Sequence, residues 1–380
     1  MILRGRNSLD TNIEKGLILD GTKINWHKER VEARLRGERI APITIDMALT
    51  RNCNFNCEFC YSQLQENPRK KLTKEILFRF LDDVAEIGVK GISLISDGES
   101  SCSPFFPDFI AKGSANRISM AMASNGYLLT KHKLSKILHH MAYLRFNISA
   151  GEPKRFSKIM GVPQSYFHVV CQNIRDAVEI KRKSKLEVTI GLQMVLLPKY
   201  ADQIMPLAQL GRKLKVDYLI IKHCSDDEKG SLGVEYKKYK EIYNILNKAE
   251  KLTTDVYLVK VKWSKIQAEG KRSYNRCYGP PFMIQLSGSG LVAPCGMFFG
   301  KDYKRYWIGN IVDNSFKDLW QADRYWEVMD EIASERFNAH SMCGSLCLQH
   351  KVNEFLWNLN NGNAELTMPS GPMPEHINFI

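Results

Sequence analysis

Between residues 41 and 262, apolar strand-like runs alternate with amphipathic helix-like runs, and this alternation leaves the chain few folds to choose from. Strand signals fall at 43–49, 91–95, 118–123, 143–148, 186–196 and 217–222. The best-marked helix places Ile76, Leu77, Phe80, Leu81, Val84 and Ile87 at helical spacing, with Thr73 able to cap its start and Gly88 to end it. Further helices are expected over 134–141, 166–182, 201–214 and 236–252. Six strand–helix repeats in a row predict a parallel sheet with helical crossovers, an α/β fold. In closed or partial barrels of this kind the chemistry sits at the C-terminal ends of the strands.

After about residue 262 the alternation stops. A short β-rich segment with cysteines follows, then helical stretches around 315–332 and 351–359. The expected division is a polar lead-in over 1–40 without clear period, the strand–helix domain over 41–262, a small second domain over 263–360, and a tail over 361–380 rich in Pro, Gly and Asn.

No apolar run approaches the roughly 20 residues that span a bilayer. The first residues, Met1 to Asn7, lack the apolar core of a signal peptide, so a cytoplasmic protein without membrane attachment is expected. The net charge is +13, from 54 basic and 41 acidic residues. Such a balance suits nucleic acid, a nucleotide, or an acidic electron carrier as partner. The lysines are spread widely with no aromatic interleaving, as at Arg69-Lys70-Lys71 and Lys181-Arg182-Lys183, which favours a basic surface over nucleic-acid binding. The 10 cysteines, in a chain with no export signal, point to metal or catalytic use rather than disulfides.

Seven of those cysteines fall into two groups. Just after the first strand comes Cys53-Asn54-Phe55-Asn56-Cys57-Glu58-Phe59-Cys60, three thiols at C-x3-C-x2-C spacing. Three thiolates so spaced can wrap one face of a [4Fe–4S] cluster and leave one iron open to a small molecule. Structural zinc wants four ligands and usually pairs C-x2-C with a distant second pair, so it fits less well.

In this run the chain resembles the radical S-adenosylmethionine (SAM) superfamily, whose signature is C-x3-C-x2-C on the loop after the first strand of a partial (β/α)6 barrel of the TIM type. The resemblance spans residues 40 to 250 or so and implies that the open iron binds SAM. Reductive cleavage then gives a 5′-deoxyadenosyl radical that takes a hydrogen atom from substrate. It also implies cofactor contacts in chain order. Phe59 stands where an aromatic packs on the adenine. Ser96-Asp97-Gly98-Glu99 resembles the family's Gly-Gly-Glu, with Asp97 in place of its first glycine. Ser124-Asn125-Gly126 looks like Thr-Asn-Gly, and Ser149 sits where a hydroxyl meets ribose or carboxylate. A flavodoxin or ferredoxin is the kind of electron donor implied.

The second group is Cys277, Cys295, Cys343 and Cys347. Taken alone, four thiolates in two pairs suit zinc as well as a cluster. Beside the first group they resemble the C-terminal auxiliary module of SPASM and twitch proteins, which opens Cys…Gly-x4-Cys. Gly309-Asn310-Ile311…Leu319-Trp320 resembles the stretch bridging that module's halves. Four cysteines match the shorter, twitch arrangement with a single auxiliary [4Fe–4S] cluster, though Cys343-x3-Cys347 departs from its usual C-x2-C. A fully ligated cluster has no iron free for substrate, so the resemblance implies electron transfer or a structural role, the former as in dehydrogenases that oxidise aminocyclitols.

Substrate contacts are expected at the later strand ends: Gln193 within the fifth strand, Lys222 and His223 ending the sixth, and Asn147 or Arg145, which alternate with Phe146 on the fourth, with Asn147 favoured because it shares its face with Ser149. Cys102 and Cys224 follow strand ends and are candidate hydrogen-atom donors, whereas Cys171 lies on a helix and reads as core. The expected function is oxidation of a polar small molecule such as a sugar, an aminocyclitol or a nucleotide-linked compound. Alternatives are a peptide maturase or epimerase, disfavoured by the roughly 40 residues ahead of the first strand, and modification of nucleic acid or nucleotides.

Overall fold

The computed structural model describes residue 17 and residues 21–380. The expected lead-in is helical where it is described, with a 3₁₀ turn over Gly21–His27 and an α-helix over Lys28–Leu35. Residues 36–40 are turn and coil, and residues 1–16 and 18–20 lie outside the described residues.

Seven parallel strands follow one another in space as they do in sequence: β1 (Thr44–Met47), β2 (Gly91–Leu94), β3 (Ser119–Ser124), β4 (Met141–Asn147), β5 (Thr189–Leu196), β6 (Tyr218–His223) and β7 (Leu258–Val261). Three more strands, β8 (Met283–Leu286), β9 (Leu291–Ala293) and β10 (Gly309–Asn310), extend the sheet beyond β1 in the order β10-β9-β8-β1. β8 runs parallel to β1, while β9 pairs antiparallel with both its neighbours. The sheet curls without closing, a partial barrel with the C-terminal iron–sulfur module joined to its first strand.

The sequence pattern places the first six strands and omits β7, whose four residues carry too short an alternation to stand out behind a charged helix. It also omits helices Phe106–Ala115 and Pro153–Met160. The expected helix over 134–141 ends early. An α-helix covers Lys131–Ile137, a 3₁₀ turn carries the chain to His140, and Met141 already belongs to β4. Helix Lys74–Ile87 forms as its spacing dictates: Thr73 Oγ1 accepts from Ile76 N at its start, Gly88 closes it with φ 94°, and Leu77, Phe80, Leu81 and Val84 are buried.

Alternation along each strand sends every second side chain into the barrel. Asp46, Ser93, Ala121, Tyr143 and Thr189 share one level across β1 to β5, and the Ser93 and Tyr143 hydroxyls meet at 2.9 Å. The C-terminal tail, expected as either a loose end or a contact-ordered segment, is seated at the N-terminal mouth. Thr44 Oγ1 donates to Asn378 O (2.7 Å), Asn378 Nδ2 donates to Ser119 Oγ (2.9 Å), and Phe379 packs edge-on against Tyr143. With that mouth closed, access to the interior is from the C-terminal ends of the strands.

Candidate active site

The cysteine loop leaves β1 and is stapled to the end of helix Pro153–Met160: Asn56 N donates to Met160 O and Glu58 N to Ile159 O. Phe55, buried beside Phe156 and Tyr166, anchors its centre. Burial and mutual repulsion with Cys60 and Cys53 push the Cys57 thiol well above its usual range. These thiols can be thiolates together only with positive charge between them, the condition a bound iron–sulfur cluster meets. Among the described residues no three Cys, His, Asp or Glu side chains converge closely enough for one metal ion. Thiolates about 2.3 Å from a single zinc crowd together, whereas a cluster spreads them over its corners.

The loops after β2 and β3 are locked to this loop by one carboxylate. Glu99 is buried; its Oε1 accepts from Ser101 N (3.1 Å), Ser101 Oγ (2.6 Å) and Ser124 Oγ (2.8 Å), and its Oε2 from Asn125 N (2.7 Å). Its own amide donates to Asn52 O (3.0 Å). Asn125 Nδ2 donates to Asn54 Oδ1 (2.8 Å) and lies 3.9 Å from Cys53 Sγ. Gly98 takes φ 146°, and a Cβ there would stand 2.2 Å from Thr50 O, so only glycine lets the β2 loop lie against the cysteine loop.

A cavity of ≈ 280 Å³ opens beside the three cysteines. Phe59, Gly98, Glu99, Asn125, Asn147 and Gln193 line it, together with Lys222, His223 and Cys224. Gln193 Nε2 donates to Asn147 Oδ1 (3.0 Å), so the two amides form one polar rung. Three expected contacts lie elsewhere. Ser124 follows the inward-facing Ala123 and points behind the loop, to Glu99. Ser149 lies past the end of β4, where alternation lapses, and its Oγ accepts from Val195 N (3.2 Å). Cys102 sits in the turn Ser100–Cys102 with its thiol 3.8 Å from Asn54 Oδ1.

Asp97 is also committed to other partners. Its buried carboxylate pairs with Arg51 Nε (3.1 Å) and accepts from Ser287 Oγ (2.6 Å) and Gly288 N (2.7 Å), in the turn between β8 and β9. The departure from the family's glycine thus ties the barrel to the C-terminal module.

A second cavity of ≈ 260 Å³ continues from the first, sharing Ser96, Gln193, Lys222 and His223 with it, and reaches Cys295 and Cys347. Asp46, Arg145, Lys265 and Gln285 also line it; strand alternation alone gave no sign that they meet. Lys222 makes no hydrogen bond or ion pair among the described residues. Burial, then Arg145 and Lys265, lower its pKa to about 7, and burial raises that of Asp46 to about 7. His223 is 1% exposed with both ring nitrogens unpartnered, and burial holds it neutral.

Of the four later cysteines, Cys295 and Cys347 line this cavity, and Cys277 and Cys343 lie close enough to interact electrostatically with them. Burial, then Cys343, Cys347 and Cys277, drive the Cys295 thiol well above its usual range. Arg272 braces the loop that carries Cys343, donating to Ala339 O (2.7 Å) and Ser345 O (2.7 Å), with Nη2 3.4 Å from Cys343 Sγ. Asn353 Oδ1 accepts from Tyr278 N and Gly279 N, and its Nδ2 lies 3.4 Å from Cys277 Sγ. The loop after β6 is hydrogen-bonded to the same region, Asp226 N to Ser345 Oγ (2.9 Å) and Ser345 N to Asp226 O (2.8 Å). Cys171 is buried on helix Ser165–Lys183, away from both cavities.

Comparison with known proteins agrees with this layout. Residues 47–210 match the radical SAM superfamily, and residues 277–347 match the SPASM iron–sulfur cluster-binding domain. The tungsten-containing aldehyde ferredoxin oxidoreductase cofactor-modifying protein of Pyrococcus furiosus is 20% identical over 73% of this chain and 81% of its own length. The AdoMet-dependent heme synthase of Methanosarcina barkeri is 23% identical over 74% and 82%. In fold, Streptococcus suis SuiB bound to S-adenosylmethionine aligns at a TM-score of 0.61 and 15% identity, over 79% of this chain and 71% of SuiB. AdoMet-bound anSMEcpe aligns at 0.55 and 15%, over 84% and 97%.

Proposed function

Because the chain belongs to the radical SAM superfamily and carries a SPASM iron–sulfur domain, we propose that it oxidises a polar small molecule by hydrogen-atom abstraction. The two domains bind a [4Fe–4S] cluster with SAM and auxiliary iron–sulfur respectively. When bound and reduced, the first pair supplies a 5′-deoxyadenosyl radical able to take hydrogen from a C–H bond.

In this reading Cys53, Cys57 and Cys60 hold the SAM-binding cluster, and Cys277, Cys295, Cys343 and Cys347 hold the auxiliary one. Phe59, Gly98, Glu99, Asn125 and the Asn147–Gln193 rung shape the cofactor pocket, with one acceptor position on Glu99 Oε2 left for an ammonium group. Lys222 and His223 stand where the two cavities meet and orient the substrate. A flavodoxin or ferredoxin is the kind of donor that would reduce the first cluster.

The observation that carries the proposal is the continuous void from the first cysteine group to Cys295 and Cys347. A substrate held there has the radical source on one side and an electron acceptor on the other, the arrangement a two-electron oxidation needs. The curated relatives' names describe a protein modifying a cofactor and one making heme, which favours a small molecule. Peptide modification is the second reading: SuiB and anSMEcpe have been solved with peptides, and their fold is shared.

The test is anaerobic incubation of the reduced full chain with SAM and candidate substrates. A polar small molecule that raises 5′-deoxyadenosine release and leaves as a product two hydrogens lighter supports the proposal. Release stimulated by peptides alone would replace it with the second reading.

A further inference from the structure

Buried polar atoms without partners mark places where a ligand is missing. Among the described residues such side-chain atoms occur on eight residues, and four of these, Gln65, Arg145, His223 and Gln349, line the one cavity that reaches Cys295 and Cys347. Its charges are also unbalanced. Arg145, Lys222, Lys262 and Lys265 line it with two carboxylates, Asp46 and Asp97; Asp97 is already paired with Arg51, and among the described residues no ion pair joins Asp46 to Arg145, Lys222 or Lys265. Lys265 is already engaged: its Nζ donates to Cys347 O (2.5 Å), beside the auxiliary site. Arg145 is not. Its Nε is buried without a hydrogen-bond partner among the described residues, and the groups set against its guanidinium, the Tyr143 ring at 5.8 Å and the Tyr218 hydroxyl, carry no negative charge. Lys222 Nζ likewise has no partner.

Uncompensated cations inside a protein are costly, and a hydrogen-bonded anion removes the cost. We propose that Arg145 and Lys222 form an oxyanion subsite, so that the substrate enters this cavity carrying a carboxylate or a phosphate group. The inference rests on the reading of the cavity as the substrate pocket. Arg145 lies outside the cavity that adjoins Cys53, Cys57 and Cys60, whereas Lys222 lines both, so it is Arg145 that sets the subsite apart from the carboxylate of SAM itself. Asp46, on the opposite wall and holding Gln285 Nε2 at 3.4 Å, is placed to take a hydroxyl or amine of the same molecule. The guanidinium fork suits two oxygens of one oxyanion, with the lysine as a second point of charge.

Calorimetry on the anaerobically reconstituted full chain with SAM bound tests this, using succinate, inorganic phosphate and neutral succinamide as probes. Succinate or phosphate should bind and succinamide should not, and the tighter of the two anions identifies the group. Arg145→Met and Lys222→Met should each weaken that binding about tenfold or more. Arg145→Lys and Lys222→Gln serve if either methionine protein fails to fold, with the arginine-to-lysine change recovering part of the affinity. Anion binding equal in all variants, meaning an adventitious ion only, or no anion binding by a chain that still binds SAM, overturns the subsite. A parallel loss of SAM affinity would assign the cations to the cofactor and overturn it too. A chain that neither binds SAM nor releases 5′-deoxyadenosine would instead break the underlying reading.

Discussion

Asp97 Oδ2 accepts a hydrogen bond from Ser287 Oγ at 2.6 Å, joining the loop after β2 to the turn between β8 and β9. The same carboxylate pairs with Arg51, so it holds three segments at the point where barrel and C-terminal module meet. Asp97→Gly, which restores the glycine of the motif, should therefore destabilise the protein by about 2 kcal/mol, because it leaves the buried Ser287 Oγ and Gly288 N without their acceptor and removes the partner of the half-buried Arg51. Ser287→Ala should cost about 1 kcal/mol, with coupling between the two sites in a double-mutant cycle read by denaturant unfolding.

Gly98→Ala should abolish SAM binding. The new Cβ stands 2.2 Å from Thr50 O in a backbone conformation that other residues rarely adopt. The cysteine loop must then shift away from Glu99 and Asn125. Calorimetric titration with SAM, on protein whose circular dichroism matches wild type, checks this.

Arg272 and Asn353 should set the potential of the auxiliary centre, since each places an N–H donor 3.4 Å from a cysteine sulfur. Donors to cluster sulfurs raise reduction potential. Asn353→Asp keeps the acceptor for Tyr278 N and Gly279 N but loses the donor to Cys277 and adds negative charge. Its potential, measured by EPR-monitored redox titration, should fall while the iron content holds.

Anion binding in the substrate cavity should weaken as pH rises through about 7. Lys222 loses its positive charge in that range and Asp46 gains its negative one, and both changes oppose an anion. His223 is held neutral by burial, and Lys265, whose pKa burial lowers to about 8, loses its charge just above that range, which opposes an anion in the same sense. In Lys222→Met the pH dependence of succinate affinity should shrink to the parts due to Asp46 near pH 7 and Lys265 near pH 8.

Much of this site is legible in the sequence because it depends on local spacing. The cysteines, Gly98, Glu99 and Asn125 are set by loops only a few residues long. What escaped depends on register. Asp46 and Gln285 meet only because β8 joins the sheet beside β1 and turns Gln285 inward next to Asp46, whereas Arg145 was visible as an alternating residue of the fourth strand. A charge in the middle of the strand run Ile43–Leu49 was the available signal for Asp46. Ser124 and Ser149 were misplaced for the converse reason: at a strand end one residue decides whether a side chain faces the cavity or the loop behind it.

The account stands on two separate iron–sulfur centres. The direct measurement is an anaerobic iron and sulfide count on the reconstituted full chain, beside the Cys53→Ala/Cys57→Ala/Cys60→Ala triple variant, with 5′-deoxyadenosine release read in both. About eight irons falling to about four in the triple variant, with all release lost, is the predicted result. About four irons falling to none would mean that Cys277, Cys295, Cys343 and Cys347 hold no cluster, and the electron acceptor on which the proposed oxidation depends would be gone.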